Sequence, residues 1–132
     1  MQLNAPGDFH VKQEVSKYYG ETLSCSADLK TSACCDPTAL PPRIAAALAN
    51  VHEDVVRKYY GCGLCLPPDD INGLHVLDLG CGSGRDCFIL SQLVGARGHV
   101  TGIDMTEEQL TVRATFRPSR RVTVSSTGGA RT

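Results

Sequence analysis

Basic residues are too few and too scattered in this sequence to form the surface that nucleic acids bind. The chain of 132 residues has 13 Lys and Arg against 14 Asp and Glu, and its formal net charge is −1. The basic residues are dispersed until a late arginine cluster, whereas nucleic-acid binding requires a basic stripe or patch. We therefore expect no nucleic acid partner.

Long apolar runs are also missing. No stretch approaches the roughly 20 residues of a membrane-spanning helix, which argues against an integral membrane protein. The first six residues lack the basic start and apolar core of a secretory signal peptide. We expect a monomeric protein of the cytosol without a membrane partner.

Cysteine, by contrast, is abundant. Without a secretory signal, an odd number of cysteines favours free, metal-binding or catalytic thiols over disulfides. Cys62 and Cys65 form a C-x-x-C motif, but no second such motif or closely spaced histidine pair completes a zinc site. Cys81 and Cys87 are predicted to be small, half-buried packing residues. The seven cysteines are Cys25, Cys34, Cys35, Cys62, Cys65, Cys81 and Cys87.

Two amphipathic segments precede the middle of the chain. Apolar residues at helical spacing predict one helix at about residues 9 to 19, with Gly20 as a left-handed C-cap. A second helix is predicted at about residues 43 to 60, opened by Pro42 and closed by Gly61. The two helices end in the same sequence, Lys-Tyr-Tyr-Gly. We expect one of the four tyrosines, Tyr59, to line a ligand cleft and the other three to pack against the sheet.

The stretch from residue 75 to 86, HVLDLGCGSGRD, reads as a buried strand followed by a glycine-rich turn and the start of a helix. Gly80, Gly82 and Gly84 allow a sharp turn and a close approach to a ligand. Asp78 precedes the turn. The sequence therefore predicts a nucleotide-cofactor site at this turn.

A second strand, HVTGI, follows at residues 99 to 103 and ends in Asp104 and Met105. In a doubly wound sheet this acid lies beside the glycine turn and accepts hydrogen bonds from ribose hydroxyls. Arg85 occupies the position of the third glycine of a dinucleotide fingerprint, which disfavours NAD. S-adenosylmethionine has no pyrophosphate and suits the turn better.

The predicted fold class is α/β, namely the N-terminal part of a Rossmann-like class I methyltransferase fold with two parallel strands and N-terminal helices, and it is incomplete. We predict a helical and cysteine-loop segment at residues 1–70 and the start of the cofactor-binding domain at 71–112. Residues 113–132 have no apolar face and contain Pro118, so a disordered tail is expected there.

About residues 11 to 112 resemble the N-terminal part of the arsenite methyltransferases, which depend on S-adenosylmethionine. Many methyltransferases share the glycine turn, but few share the contexts of the early cysteines. The matching stretches are residues 18–20, 26–29, 31–34, 51–53, 59–64, 77–80, 82–87, 90–95 and 98–105.

The resemblance assigns catalytic and arsenic-binding roles to Cys34 and Cys62. In the family, these two positions join two cysteines further along the chain to bind trivalent arsenic, whose soft character suits thiolate ligands. The arsenic lone pair attacks the sulfonium methyl group in line, so catalysis depends mainly on holding the two at near-attack distance. The implied partners are arsenite, methylated arsenicals and a thiol reductant such as glutathione or a thioredoxin-like protein.

The downstream cysteines and strands of the family do not occur in this sequence. We therefore expect a truncated, inactive form of such an enzyme. One alternative is a non-catalytic thiol module that binds arsenic or another soft metal. Another is a different small-molecule methyltransferase, in which Cys34 and Cys62 are ordinary loop residues.

Overall fold

In the computed structural model, the described residues are 6–24, 40–61, 64, 70–115 and 122–126. The helices are α1 (Pro6–Lys17), α2 (Pro42–Ala49), α3 (Glu53–Arg57), α4 (Arg85–Leu93) and α5 (Glu107–Thr115), and a π-helical turn, Tyr18–Thr22, continues α1. The strands are β1 (His75–Leu79), β2 (His99–Asp104) and β3 (Val122–Ser126). No helix in these ranges has the length and hydropathy needed to cross a bilayer.

The three strands form one parallel sheet in the order β1-β2-β3. The register aligns His75 with His99 and Val100 with Val122. This order is half of a doubly wound sheet, in which successive strands add to one edge through helical crossovers. The predicted parallel pairing of the first two strands is confirmed.

Helix α4 lies between two apolar clusters and joins the sheet to the N-terminal helices. One of its faces packs on the sheet, and Ile89 on another face packs on α2 and α3. The sheet-side cluster contains Ile71, Cys81, Cys87, Leu90, Val94 and Val100. The helix-side cluster contains Ile44, Ala47, Val51, Val55 and Ile89.

The other face of β1 is open among the described residues. Leu77 and Leu79 are 58% and 71% exposed, although parallel strands are normally covered on both faces. Among the described residues, only the face of β1 that packs against α4 is covered, and no helix covers the face that carries Leu77 and Leu79.

The prediction of only two strands is wrong, and so is the expectation of a disordered tail at residues 113–115 and 122–126. Helix α5 extends to Thr115, and β3 follows with the alternating sequence VTVSS. Pairing with the free edge of β2 satisfies the backbone groups of β3, a long-range gain that local composition did not reveal. Residues 116–121 and 127–132 lie outside the described residues.

The predicted helix at residues 43–60 is divided in two. His52 has extended backbone angles, φ −59° and ψ 139°, and its imidazole accepts a hydrogen bond from the amide of Asp54. Helix α2 has already ended at Ala49 with Asn50 as its C-cap, and His52 caps the start of α3. The proposed C-caps are also wrong, because Gly20 lies inside the π-helical turn and α3 already ends at Arg57.

Candidate functional site

A cavity of about 590 Å³ lies at the carboxyl ends of β1 and β2. This edge of a parallel sheet is where open α/β folds bind ligands. The glycine turn, the end of β2, the start of α5, residues 58–61 after α3 and the π-helical turn all border it. Most of the residues predicted for cofactor binding border this cavity: Tyr59, Asp78, Gly80, Gly82, Asp104 and Met105.

The glycine turn adopts a conformation that other residues rarely allow. Gly80 and Gly82 have φ values of 77° and 52°, both in the left-handed region. The amides of Gly80 and Cys81 donate to the carbonyl of Ile103 at 2.7 and 3.1 Å, which ties the turn to β2. Gly84, at φ 84°, caps the start of α4 and is not among the described residues that border the cavity.

The carboxylate of Asp104 faces the glycine turn. Its Oδ2 accepts the amide of Gly82 at 2.8 Å, and its Oδ1 accepts the amide of Thr106 at 2.8 Å. Each oxygen keeps a further lone pair for a ligand hydroxyl. These two bonds fix the carboxylate at the end of β2, facing the glycine turn.

Arg85 is a residue of this region whose contacts sequence reasoning missed. Its guanidinium lies 3.2 Å from the ring centroid of Tyr59, and its Nε donates to Asp86 at 2.8 Å. Only 8% of Arg85 is exposed, and its Nη2 has no hydrogen-bond partner among the described residues. Arg85 is not among the described residues that border the cavity, and its charge is paired with Asp86, which does border it.

Tyr19 and Tyr60 also border the cavity, so the prediction that only Tyr59 does so is wrong. The hydroxyl of Tyr60 donates to the carbonyl of Leu23 at 3.1 Å. The side-chain amide of Gln109 donates to the carbonyl of Tyr19 at 3.0 Å. These contacts hold the π-helical turn against α5 and over one side of the cavity.

Two thiols lie directly behind the glycine turn. The Sγ atoms of Cys87 and Cys81 are 2.7 and 2.8 Å from the position that a Cβ on Gly102 would occupy. The thiol of Cys87 donates to Oδ2 of Asp78 at 3.2 Å. A hydrogen bond with Cys81, burial and the negative charge of Asp78 raise the pKa of Cys87 far above its usual range.

The raised pKa of Cys87 predicts a loss of stability at alkaline pH. Only the unfolded chain ionises this thiol once the pH exceeds the unfolded pKa of about 8.5, so the stabilisation is complete below that pH and declines above it. The loss approaches about 1.4 kcal/mol for each further pH unit. Urea unfolding between about pH 7 and pH 10 measures it, with Cys87→Ser as the control, because serine does not ionise in this range. Equal pH dependence of the two proteins would contradict the assignment.

The predicted arsenic ligands Cys34 and Cys62, with Cys25, Cys35 and Cys65, lie outside the described residues. Their positions relative to the cavity stay a prediction. In the ranges that are described, no group of three or more His, Cys, Asp or Glu side chains is arranged to hold a metal ion.

Comparison with known proteins finds that this chain is similar to methyltransferases. Residues 70–120 match a family model described as a methyltransferase domain. The chain is 50% identical over 115 residues to an arsenite methyltransferase of Rattus norvegicus, covering 86% of this chain and 31% of that protein. It is 55% identical over 100 residues to an arsenite methyltransferase of Aquipseudomonas alcaligenes, covering 76% of this chain and 29% of that protein.

A solved structure agrees with the sequence matches. The crystal structure of an arsenic(III) S-adenosylmethionine methyltransferase from Chlamydomonas reinhardtii superposes with a TM-score of 0.61 at 43% identity, covering 65% of this chain and 32% of that one. The chain thus spans about a third of the length of these relatives. The chain is thus similar to arsenite methyltransferases over most of its own length, and its described part has a partial class I methyltransferase fold.

Proposed function

We propose that this chain binds S-adenosylmethionine in the cavity and takes part in transferring its methyl group to trivalent arsenic. The observation that carries the proposal is the Asp104 carboxylate, fixed by the amides of Gly82 and Thr106 at the end of β2. This carboxylate would accept the two ribose hydroxyls. Met105, beside it on the cavity wall, offers an apolar contact to the adenine.

Arg85 lies behind the cavity wall and is not among the described residues that border it. Its guanidinium stacks on the ring of Tyr59, which does border the cavity, so Arg85 positions this ring toward the cofactor. Gly80 and Gly82 have no side chain, so the cofactor can approach the backbone closely. No heavy atom lies within 4 Å of the position that a Cβ would occupy on either glycine. The cofactor supplies the activated methyl group when bound. The residues present fit this group.

The acceptor is proposed to be arsenite bound by the thiolates of Cys34 and Cys62, as the family resemblance implies. Thiolates suit a soft trivalent centre, and the arsenic lone pair is the nucleophile, so no general base is needed. A thiol reductant such as glutathione or a thioredoxin-like protein would keep the cysteines reduced. The cytosol, where thiols stay reduced, is the proposed compartment.

The breadth of the sequence match supports arsenic over other acceptors. A naphthoquinone methyltransferase of Arabidopsis thaliana is 56% identical, but over only 43 residues and 33% of this chain. The match to the arsenite methyltransferases extends over 76% to 86% of it. Similarity therefore continues well beyond the cofactor turn that methyltransferases of many substrates share.

We expect the 132-residue polypeptide alone to methylate arsenite far more slowly than its longer relatives. One face of β1 is uncovered among the described residues, so apolar surface that would stabilise the sheet stays in contact with water. The test supplies labelled S-adenosylmethionine, arsenite and glutathione and measures methylated arsenic. Turnover equal to that of a full-length relative would contradict the proposed inactivity.

The role of the thiols needs a separate comparison in a full-length relative. Replacing the cysteines that match Cys34 and Cys62 by serine should abolish arsenic methylation but leave cofactor binding within about twofold. Methylation that survives both changes would favour a different acceptor, and arsenic binding without any methylation would favour a thiol module.

A further inference from the structure

We propose that Cys81 and Cys87 form a second site for trivalent arsenic, a dithiol on the floor of the cofactor cavity. This site is distinct from Cys34 and Cys62. It rests on the proposed function only for the identity of the ligand, because a dithiol binds arsenic whether or not the chain transfers methyl groups.

The fold of this single chain brings the two sulfurs together. Both Sγ atoms face Gly102, 2.8 and 2.7 Å from the position that a Cβ there would occupy, which makes the two sulfurs neighbours. Two neighbouring sulfurs are what a single arsenic atom bridges in a chelate. Cys81 borders the cavity, whereas Cys87 is fully buried behind it, so arsenic would approach from the cavity side.

The chemistry of arsenite suits this buried position. Arsenite, As(OH)₃, condenses with two thiols: two As–S bonds form, two As–O bonds break, and two water molecules leave with the thiol protons. Arsenic stays trivalent and no oxidant or reductant is consumed. The product carries no net charge, so burial opposes it less than it opposes a pair of thiolates.

The number of available ligands disfavours divalent cations. A structural zinc site takes four His, Cys, Asp or Glu ligands. In the described ranges no third His, Cys, Asp or Glu completes a metal site with these thiols. The dithiol should therefore select trivalent arsenicals, which need only two sulfurs and bring their own third ligand.

Arsenic at this position would occupy space beside the glycine turn. Its remaining hydroxyl would face the cavity that the cofactor is proposed to fill, next to Gly80 and Gly82. Each ligand would then weaken the binding of the other by the same factor. High arsenite would thus inhibit cofactor binding through a site that takes no part in methyl transfer.

The test uses a variant of the 132-residue chain in which only Cys81 and Cys87 remain and the other five cysteines are serine. The probe is phenylarsine oxide, whose As=O double bond is replaced by two As–S bonds with loss of one water. Intact mass spectrometry should show one adduct per chain. Adding Cys81→Ser or Cys87→Ser should abolish it, and absence of the adduct from a folded five-serine variant would overturn the proposal.

Folding is checked by circular dichroism, and the native chain provides a second readout if the five-serine variant is unfolded. Native protein should bind one more equivalent of phenylarsine oxide than its Cys81→Ser/Cys87→Ser variant, and equal stoichiometry would overturn the proposal. Equilibrium dialysis of labelled S-adenosylmethionine should show at least about tenfold weaker binding once the dithiol is occupied. Failure of the adduct-free native chain to bind labelled S-adenosylmethionine, while phenylarsine oxide still forms the adduct, would refute the proposed function alone.

Discussion

Replacing Asp104 by alanine is expected to weaken the binding of S-adenosylmethionine about 100-fold or more. The change removes the carboxylate proposed to accept both ribose hydroxyls, and hydrogen bonds to a charged group contribute about 1.5–3 kcal/mol each. It also leaves the amides of Gly82 and Thr106 without their acceptor, so the glycine turn loses one of its links to β2. Equilibrium dialysis with radiolabelled cofactor measures the dissociation constant.

Two further variants separate the carboxylate from general effects on the fold. Asp104→Asn keeps the shape and one acceptor oxygen, so its affinity should lie between those of the native protein and the alanine variant. Glu107→Ala removes an exposed acid at the start of α5 that does not border the cavity, and it should change affinity by about twofold at most. Native affinity in a folded Asp104→Ala protein would show that the cofactor binds elsewhere.

Replacing Gly98 by alanine is expected to destabilise the fold by about 3 kcal/mol or more. A Cβ at this buried position would lie 2.4 Å from the carbonyl oxygen of Val94 and 2.8 Å from that of Leu74. Both contacts are with backbone, which cannot move aside without shifting α4 or the start of β1. Urea unfolding followed by circular dichroism measures the change in the free energy of unfolding.

Gly73→Ala is the matched control for this prediction. Gly73 has a φ of 80°, but no atom lies within 4 Å of its Cβ position. Alanine there meets only the conformational penalty, about 1–2 kcal/mol. A loss of stability as large as that of Gly98→Ala would mean that crowding at the α4–β2 connection is not the cause.

Local pattern was sufficient to predict the part of the site that lies on consecutive residues. Apolar residues before three closely spaced glycines predict a strand, a turn and a helix, and an acid after the next strand lies beside that turn by the topology of parallel sheets. The structure places Gly80, Gly82 and Asp104 around one cavity. Their roles toward the cofactor stay a prediction.

Contacts between distant segments could not be predicted in this way. Gln109 and Tyr19 are 90 residues apart, and only the folded chain brings Tyr19 to the cavity. The stacking of Arg85 on Tyr59 and the contact of Cys81 with Cys87 depend on how α3 and α4 pack. The strand β3 forms because β2 offers an edge, which its short polar sequence does not indicate.

The position of each strand in the sheet also determines how often its backbone opens to water. Strand β2 is hydrogen-bonded on both sides, so its successive amides are protected from exchange with solvent deuterium by one ladder or the other. Strand β1 pairs with β2 alone among the described residues and opens at lower cost. The backbone amides of β2, which ends in Asp104, should therefore exchange slowly, and those of β1, which continues into the glycine turn, should exchange faster. A bound ligand should slow amide exchange mainly in β1 and the glycine turn.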